Sequence, residues 1–262
     1  MGITLIAVLV LWVSLVSTAI AGDDNLPRLL ACHDRAVGGA ALRAADAVAY
    51  TLGIEEPDFS VDGYYRATRA GAMRIDVYDR GRRVFSEGWD GKRGWQRRAG
   101  DEEPVPISDA AAAPLIHGLE GPGHLWTLAD MIRNGHALEL DSPEFLDGKP
   151  MAALKLTLAD GFETVYLLDP ESCLILQSRN VRAFHPDSDP EERRIATHYM
   201  DHRKINGVSR AFLTRNVDLD SGEILGTTRI IFFTTAPNLH VDEMRGTAEI
   251  QWSMVPGPQR ND

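Results

Sequence analysis

Turn chemistry constrains this chain more than any other feature. Asp62-Gly63, Asp90-Gly91, Asp147-Gly148 and Asp160-Gly161 are Asp-Gly pairs, and Asn206-Gly207 and Ser221-Gly222 are two more of the same kind. Such pairs tolerate positive φ, which tight turns between antiparallel strands demand. Between them run segments of strand texture: 47–55, 59–68, 72–79, 82–89, 93–98, 136–141, 150–158, 162–169, 173–184, 192–201, 208–217 and 224–236. Asp62-Gly63 falls inside one of these, where it can mark a bulged strand instead of a turn. No βαβ rhythm interrupts the series, so the fold class predicted is mainly β: one long antiparallel meander with few helices.

Two stretches depart from it. Leu26, Leu29, Leu30, His33 and Val37 fall at helical spacing, with Asp23, Asp24 and Asn25 as capping candidates and Pro27 suited to a first turn. Gly38-Gly39 can end that helix, and a short Ala-rich turn follows from Ala40 to Ala47. The second stretch, about 108–134, predicts helices at Ala110 to His117 and His124 to Arg133, broken by Gly121-Pro122-Gly123. Its Leu115, Ile116, Leu119, Leu125, Trp126, Leu128, Met131 and Ile132 need an apolar surface to cover, and a sheet with one dry face would serve.

The N-terminus reads as an export signal. Residues Ile3 to Ala21 are almost all apolar and end in Ala19-Ile20-Ala21 before Gly22, Asp23 and Asp24, the small-residue pattern of a cleavage site after Ala21. A retained anchor helix is the competing reading, since the run approaches bilayer-spanning length. No second long apolar run follows, so the rest is expected to be soluble and periplasmic. About 240 residues then remain, enough to bury a core in a single domain over 22–254, with 255–262 a polar tail.

The net charge of −11 excludes a general nucleic-acid binder, whose phosphates this surface would repel. One stretch runs the other way. From Arg66 to Arg98 there are ten basic residues and four acids, which reads either as solvated strand faces or as an electropositive face for anionic headgroups or an acidic partner. Cys32 and Cys173 are the only cysteines. In an oxidising compartment they can pair, and otherwise they serve as two small buried hydrophobes.

Catalytic signatures are missing: there is no nucleophile elbow, no zinc-protease helix motif, no phosphate-binding loop and no dinucleotide fingerprint. His198 and His202 lie four apart on a predicted strand, on the same side with Asp201 opposite, and about 13 Å from each other at the rise of an extended chain. That is too far to share one metal ion. His33 lies in an apolar stripe and reads as a core histidine. Neither a catalytic residue, a metal nor a cofactor is expected, and the chain is read as not an enzyme.

Several stretches, in order, resemble the LolA/LolB-like periplasmic lipoprotein-carrier superfamily and its outer-membrane lipoprotein-sorting relatives. They are Arg35-Ala36-Val37-Gly38-Gly39-Ala40-Ala41-Leu42 after the first helix, the strands around Val61-Asp62-Gly63 and Arg74-Ile75-Asp76-Val77-Tyr78, the hairpin Glu87-Gly88-Trp89-Asp90-Gly91-Lys92-Arg93-Gly94-Trp95, Val165-Tyr166-Leu167-Leu168-Asp169-Pro170, and Tyr199-Met200-Asp201-His202-Arg203-Lys204-Ile205-Asn206-Gly207-Val208. The resemblance spans roughly Leu26 to Val241.

It implies an unclosed, strongly curved antiparallel β-barrel, a half-barrel whose concave face is covered by helices. It also implies a carrier or chaperone holding a lipid or lipoprotein acyl chains in an apolar cavity, for transport or sorting toward the outer membrane. The insertion then acts as a lid, with Leu115, Ile116, Leu119, Leu125, Trp126, Leu128 and Met131 as cavity liners. In the carriers an Arg-Pro pair latches the lid through helix carbonyls. Arg69 is the nearest match, although Ala70 stands where the proline would be, and Arg74 is a second candidate. The alternative is a periplasmic sensor or regulatory module of the same fold that binds a protein partner, one that can be membrane-associated. A monomer is expected in either case.

Overall fold

The computed structural model describes residues 25–186, 189–237 and 244–246. The apolar N-terminal run, its cleavage site, Asp23, Asp24 and the 255–262 tail lie outside the described residues.

The first helices are α1 (Asn25–Val37) and α2 (Gly39–Arg43). Five strands follow as a meander: β1 (Ala47–Glu56), β2 (Phe59–Thr68), β3 (Met73–Asp79), β4 (Arg82–Trp89) and β5 (Gly94–Arg98), ending on the two-residue β6 (Val105–Pro106). Next come α3 (Asp109–Glu120) and α4 (Leu128–Arg133). A second meander runs through β7 (Ala137–Leu140), β8 (Glu144–Leu146), β9 (Lys149–Thr157), β10 (Glu163–Leu168), β11 (Ile175–His185), β12 (Asp189–Ile205), β13 (Val208–Asp218) and β14 (Ile224–Thr234).

β1 and β14 pair antiparallel and join the two meanders into one sheet, ordered β6-β5-β4-β3-β2-β1-β14-β13-β12-β11-β10-β9-β7, with β8 beside β9. The edges β6 and β7 do not pair with each other, so the barrel is unclosed. The register shifts in five strand pairs: β1–β14, β3–β4, β10–β11, β11–β12 and β13–β14. Bulges sharpen local twist and bend the strand that carries them, which curls an open sheet. The chain between the two edges carries α3 and α4, so these helices cross the gap that the sheet leaves.

Most turn pairs act as turns. Asp147-Gly148 and Asn206-Gly207 have positive φ at both residues (51° and 77°, 48° and 84°), the geometry of a two-residue primed turn. Asp62-Gly63 is a correction: it lies within β2, in unbroken register with both β1 and β3, and is neither turn nor bulge. A Cβ at Gly63 would lie 2.9 Å from Ile54 Cδ1, the movable end of that side chain.

Other expectations shift as well. The Ala-rich turn after Gly38 is the short helix α2. Gly38, at φ 77°, packs so close to the β12–β13 turn that a Cβ would fall 1.9 Å from the Gly207 carbonyl oxygen. The second insertion helix begins at Leu128, not His124, because Thr127 caps it and shares a capping box with Asp130. β12 continues past residue 201 to Ile205. Within it Asp201 adopts φ 53° and turns the strand over by one position. His198 therefore lies beside Gln177, while His202 faces the other side of the sheet and a small cavity. The two histidines do not share a face. Among the described residues no group of three or more His, Cys, Asp or Glu side chains could hold a metal ion, and no helix is long and apolar enough to cross a membrane.

Two dry clusters flank the concave side. One gathers Leu42, Val48, Tyr50, Tyr65, Met73, Phe212 and Phe233 with Leu119 and Leu125 of the insertion. The other gathers Leu29 and Leu30 of α1, Leu128 and Met131 of α4, and Leu138, Leu154, Leu156 and Leu168 of the sheet.

A disulfide joins Cys32 of α1 to Cys173 in the β10–β11 turn, across 141 residues of sequence. His33 beside it is buried and its Nδ1 donates to the Cys173 carbonyl at 2.9 Å. A crosslink closing so long a loop restricts the unfolded chain strongly. Replacing both cysteines by alanine is expected to lower unfolding free energy by about 2–5 kcal/mol. Urea unfolding of the variant against the oxidised wild type checks this, and equal midpoints would refute it.

Candidate functional site

A cavity of about 530 Å³ lies between α3, the loop Gly121–His124 and the concave face of the sheet. That volume is within the range of small-ligand sites. Its floor is apolar at Tyr50, Leu52, Tyr65 and Ile230, and its far wall is more polar, with Thr164, Ser178, Asn180, Arg182, Thr197 and Tyr199. This follows from strand alternation: residues 178, 180 and 182 of β11 face inward, and 177 and 179 face outward. A second cavity of about 80 Å³ reaches toward α1 and is lined by His33, Trp126 and His202. The two share Pro122, Gly123, Tyr166, Tyr199, Arg210 and Ala211 as walls.

The insertion contributes differently from its apolar content. Leu115, Leu119 and Leu125 pack into the first dry cluster, and Leu128 and Met131 into the second with Trp126 against it. Trp126 lines the small cavity. Ile116 is half-buried and lines neither cavity. None of the seven lines the large cavity. The surface α3 presents there is Pro114, His117 and Gly118. The leucines anchor the insertion on either flank, and the small and polar residues between them leave the space.

Arg69, just after β2, donates to three carbonyls: Nε to Ala45 at 3.0 Å, and Nη2 to Leu42 at 2.6 Å and Leu125 at 3.2 Å. Its guanidinium also lies 4.4 Å from the centre of the Trp126 ring. On the opposite arm of the sheet, Arg210 of β13 donates to the His124 carbonyl. Two neighbouring carbonyls of the insertion are thus gripped from two arms. Arg74 is placed elsewhere. It alternates with Met73 and Ile75 of the first cluster, so it points to the other face, where Asp76 accepts from its Nε at 2.8 Å and its Nη2 at 2.7 Å. The basic stretch therefore does not form one surface: Arg66 and Arg74 are buried, while Arg80, Arg82 and Arg98 are exposed.

Polar contacts pin the rest. Asp34 of α1 accepts from both Arg43 terminal nitrogens, at 2.6 and 2.8 Å, and from Thr127 Oγ1 at 3.0 Å, joining α1, α2 and the cap of α4. The Arg43 hydrogen bond holds the Asp34 carboxyl below its usual range. His117 of α3 meets Asp160 at 2.7 Å and stacks on Phe162 at 4.0 Å, tying the helix to the β9–β10 turn.

His124 sits inside the first cluster, stacked on Tyr65 at 4.6 Å and edge-on to Tyr50 at 5.4 Å. Burial, with a smaller contribution from Arg210, pushes its pKa down from 6.5 to about 3. The unfolded chain then takes up this proton at a pH where the folded chain refuses it. Stability is expected to fall as pH drops from about 6.5 toward 3. His124→Phe, which keeps the stacked ring, is expected to fall less steeply over that window. Parallel slopes for variant and wild type in pH-dependent denaturation would remove His124 as the cause.

No protein-family model matches the chain, and no curated protein matches it in sequence. In three dimensions it is similar to a LolA superfamily protein from Nitrosomonas europaea, with a TM-score of 0.54 and 12% identity over 83% of this chain and 96% of that one. It is also similar to a domain assigned to the outer membrane lipoprotein-sorting proteins from Vibrio parahaemolyticus, with a TM-score of 0.53 and 10% identity over 81% of this chain and 97% of that one. At such identities the likeness is one of architecture, and the unclosed antiparallel sheet with its bridging helices has a LolA-like fold.

Proposed function

We propose that this protein is a periplasmic carrier that holds a lipid, or the acyl chains of a lipoprotein, in the cavity under its helices, for transport or sorting toward the outer membrane. The observation that carries the reading is a space of about 530 Å³ kept open between two well-packed clusters, with a floor of Tyr50, Leu52, Tyr65 and Ile230. A concave space of this size with an apolar floor and a few polar groups along one wall has the usual make-up of a small-ligand site. The likeness in fold to LolA superfamily and lipoprotein-sorting proteins supports the same reading.

Burying an acyl chain is favourable by about 0.8 kcal/mol per CH₂, and that gain offsets the packing and hydrogen bonding given up when the insertion moves. In this reading Arg69 is the latch, since its bond to Leu125 must break when the segment lifts. Arg69→Ala is expected to speed both uptake and release of a fluorescent fatty acid and to cost about 1–3 kcal/mol of stability. Unchanged exchange rates would end its role as a latch.

Native mass spectrometry of the protein purified from a periplasm tests the carrier reading. An adduct of lipid mass, lost on denaturation, supports it. A clean mass with no uptake of fluorescent fatty acid overturns it in favour of a protein-binding regulator of the same fold. Gly118 offers a sharper probe, because it lines the cavity and a Cβ there would meet nothing within 4 Å. Gly118→Phe is expected to fill the space and abolish uptake without loss of stability, since glycine is unfavourable inside a helix. Full uptake by a folded Gly118→Phe protein would place the ligand elsewhere.

A further inference from the structure

The cavity carries a charge pattern opposite to that of the molecule. The chain has 38 acidic residues and a net charge of −11, yet the walls of the large cavity include Arg182 and Arg210 and no Asp or Glu. Neither arginine forms an ion pair with a described residue. Arg210 is engaged through the His124 carbonyl. Arg182 is far less satisfied: its only hydrogen bond among the described residues is a marginal one of 3.5 Å from Nη1 to the adjacent Ala183 carbonyl. Its cross-strand neighbour Arg193 shows the contrast, being paired with Asp189 at 2.9 Å.

A half-buried cation without a counter-charge is costly unless something binds it, and among the described residues, apart from the weak Ala183 bond, the Arg182 guanidinium lies only against the Phe184 ring, 5.6 Å from its centre. Burial pushes the Arg182 pKa down, as befits a cation lacking a counter-charge. A guanidinium fork matches the paired oxygens of a carboxylate or phosphate.

We propose that Arg182 binds the anionic head group of an amphiphile whose acyl chain lies along Tyr50, Leu52 and Ile230. The shared chemistry is a carboxylate or phosphate at the end of an apolar chain, as in a free fatty acid or a phospholipid. This inference rests on the carrier reading and narrows it: a ligand that is neutral at the corresponding end leaves Arg182 unpaired.

Equilibrium dialysis with palmitate and with 1-hexadecanol, which share a chain length and differ in head charge, tests the two ideas apart. Wild type is expected to bind palmitate at least about tenfold more tightly than the alcohol, a difference of about 1.4 kcal/mol. Arg182→Gln is expected to abolish that preference and leave alcohol binding unchanged, and Arg182→Lys to retain part of it. Because Arg182 has no ion-pair partner to orphan, both variants are expected to melt like wild type. A lysophosphatidic acid of the same chain separates the sources: tighter binding than palmitate assigns a phospholipid head, weaker binding a free fatty acid. Equal affinity of wild type for palmitate and alcohol, unchanged by Arg182→Gln, overturns the head-group site while leaving the carrier reading intact. No binding of any of the three probes overturns the carrier reading itself.

Discussion

The antiparallel pairing of β1 with β14 joins two meanders that would otherwise be separate open sheets, and the site depends on it. It sets Tyr50 opposite Phe233 and Leu52 opposite Ile230, so the floor of the cavity draws on both ends of the sequence. It also places the two unpaired edges, β6 and β7, at the far ends of a curled sheet. The chain must travel from one edge to the other, and that path carries α3 and α4 across the opening. A covered concavity follows from strand order, before any side chain is considered.

The side chains then decide that the concavity is not filled. The large apolar residues of the insertion divide between two clusters, Leu119 and Leu125 on one flank and Leu128 and Met131 on the other. Between them stand Gly118, Gly121, Pro122 and Gly123, which bring little volume. Arginines reaching from both arms hold adjacent carbonyls of the same segment through Arg69 and Arg210. These bonds fix the backbone of the segment, in addition to the packing of Leu119, Leu125, Leu128 and Met131 on its flanks. The disulfide adds a fixed point at the opposite end, tying α1, and through Asp34 and Thr127 the start of α4, to the β10–β11 turn.

Strand limits and hairpins are legible in the sequence because they rest on local chemistry. Alternation and Asn-Gly or Asp-Gly turns act within a few residues, so most of the predicted strands agree with the observed ones to within one or two positions. Expectation and structure part where a distant partner overrides a local signal. Asp62-Gly63 has turn chemistry, but pairing on both sides keeps it in β2. Asp201 in a left-handed conformation moves His202 to the opposite face from His198, which alternation by itself does not foresee. Arg69 is marked by the family resemblance, whereas Arg210 and Arg182 carry no local mark. An arginine on a strand becomes notable only when the tertiary structure shows what lies opposite it.

The sequence by itself determined the antiparallel class, the helical interruption near 108–134 and the candidacy of Arg69, since period, turn residues and motif order are written along the chain. Only the tertiary structure decided which apolar residues anchor the insertion and which positions line the space. Hydrophobicity states that a side chain will be buried, but not whether it fills a core or borders a cavity. That choice is made by what faces it across the sheet, and here the insertion's leucines met dry partners while three glycines, two histidines and two arginines met open volume.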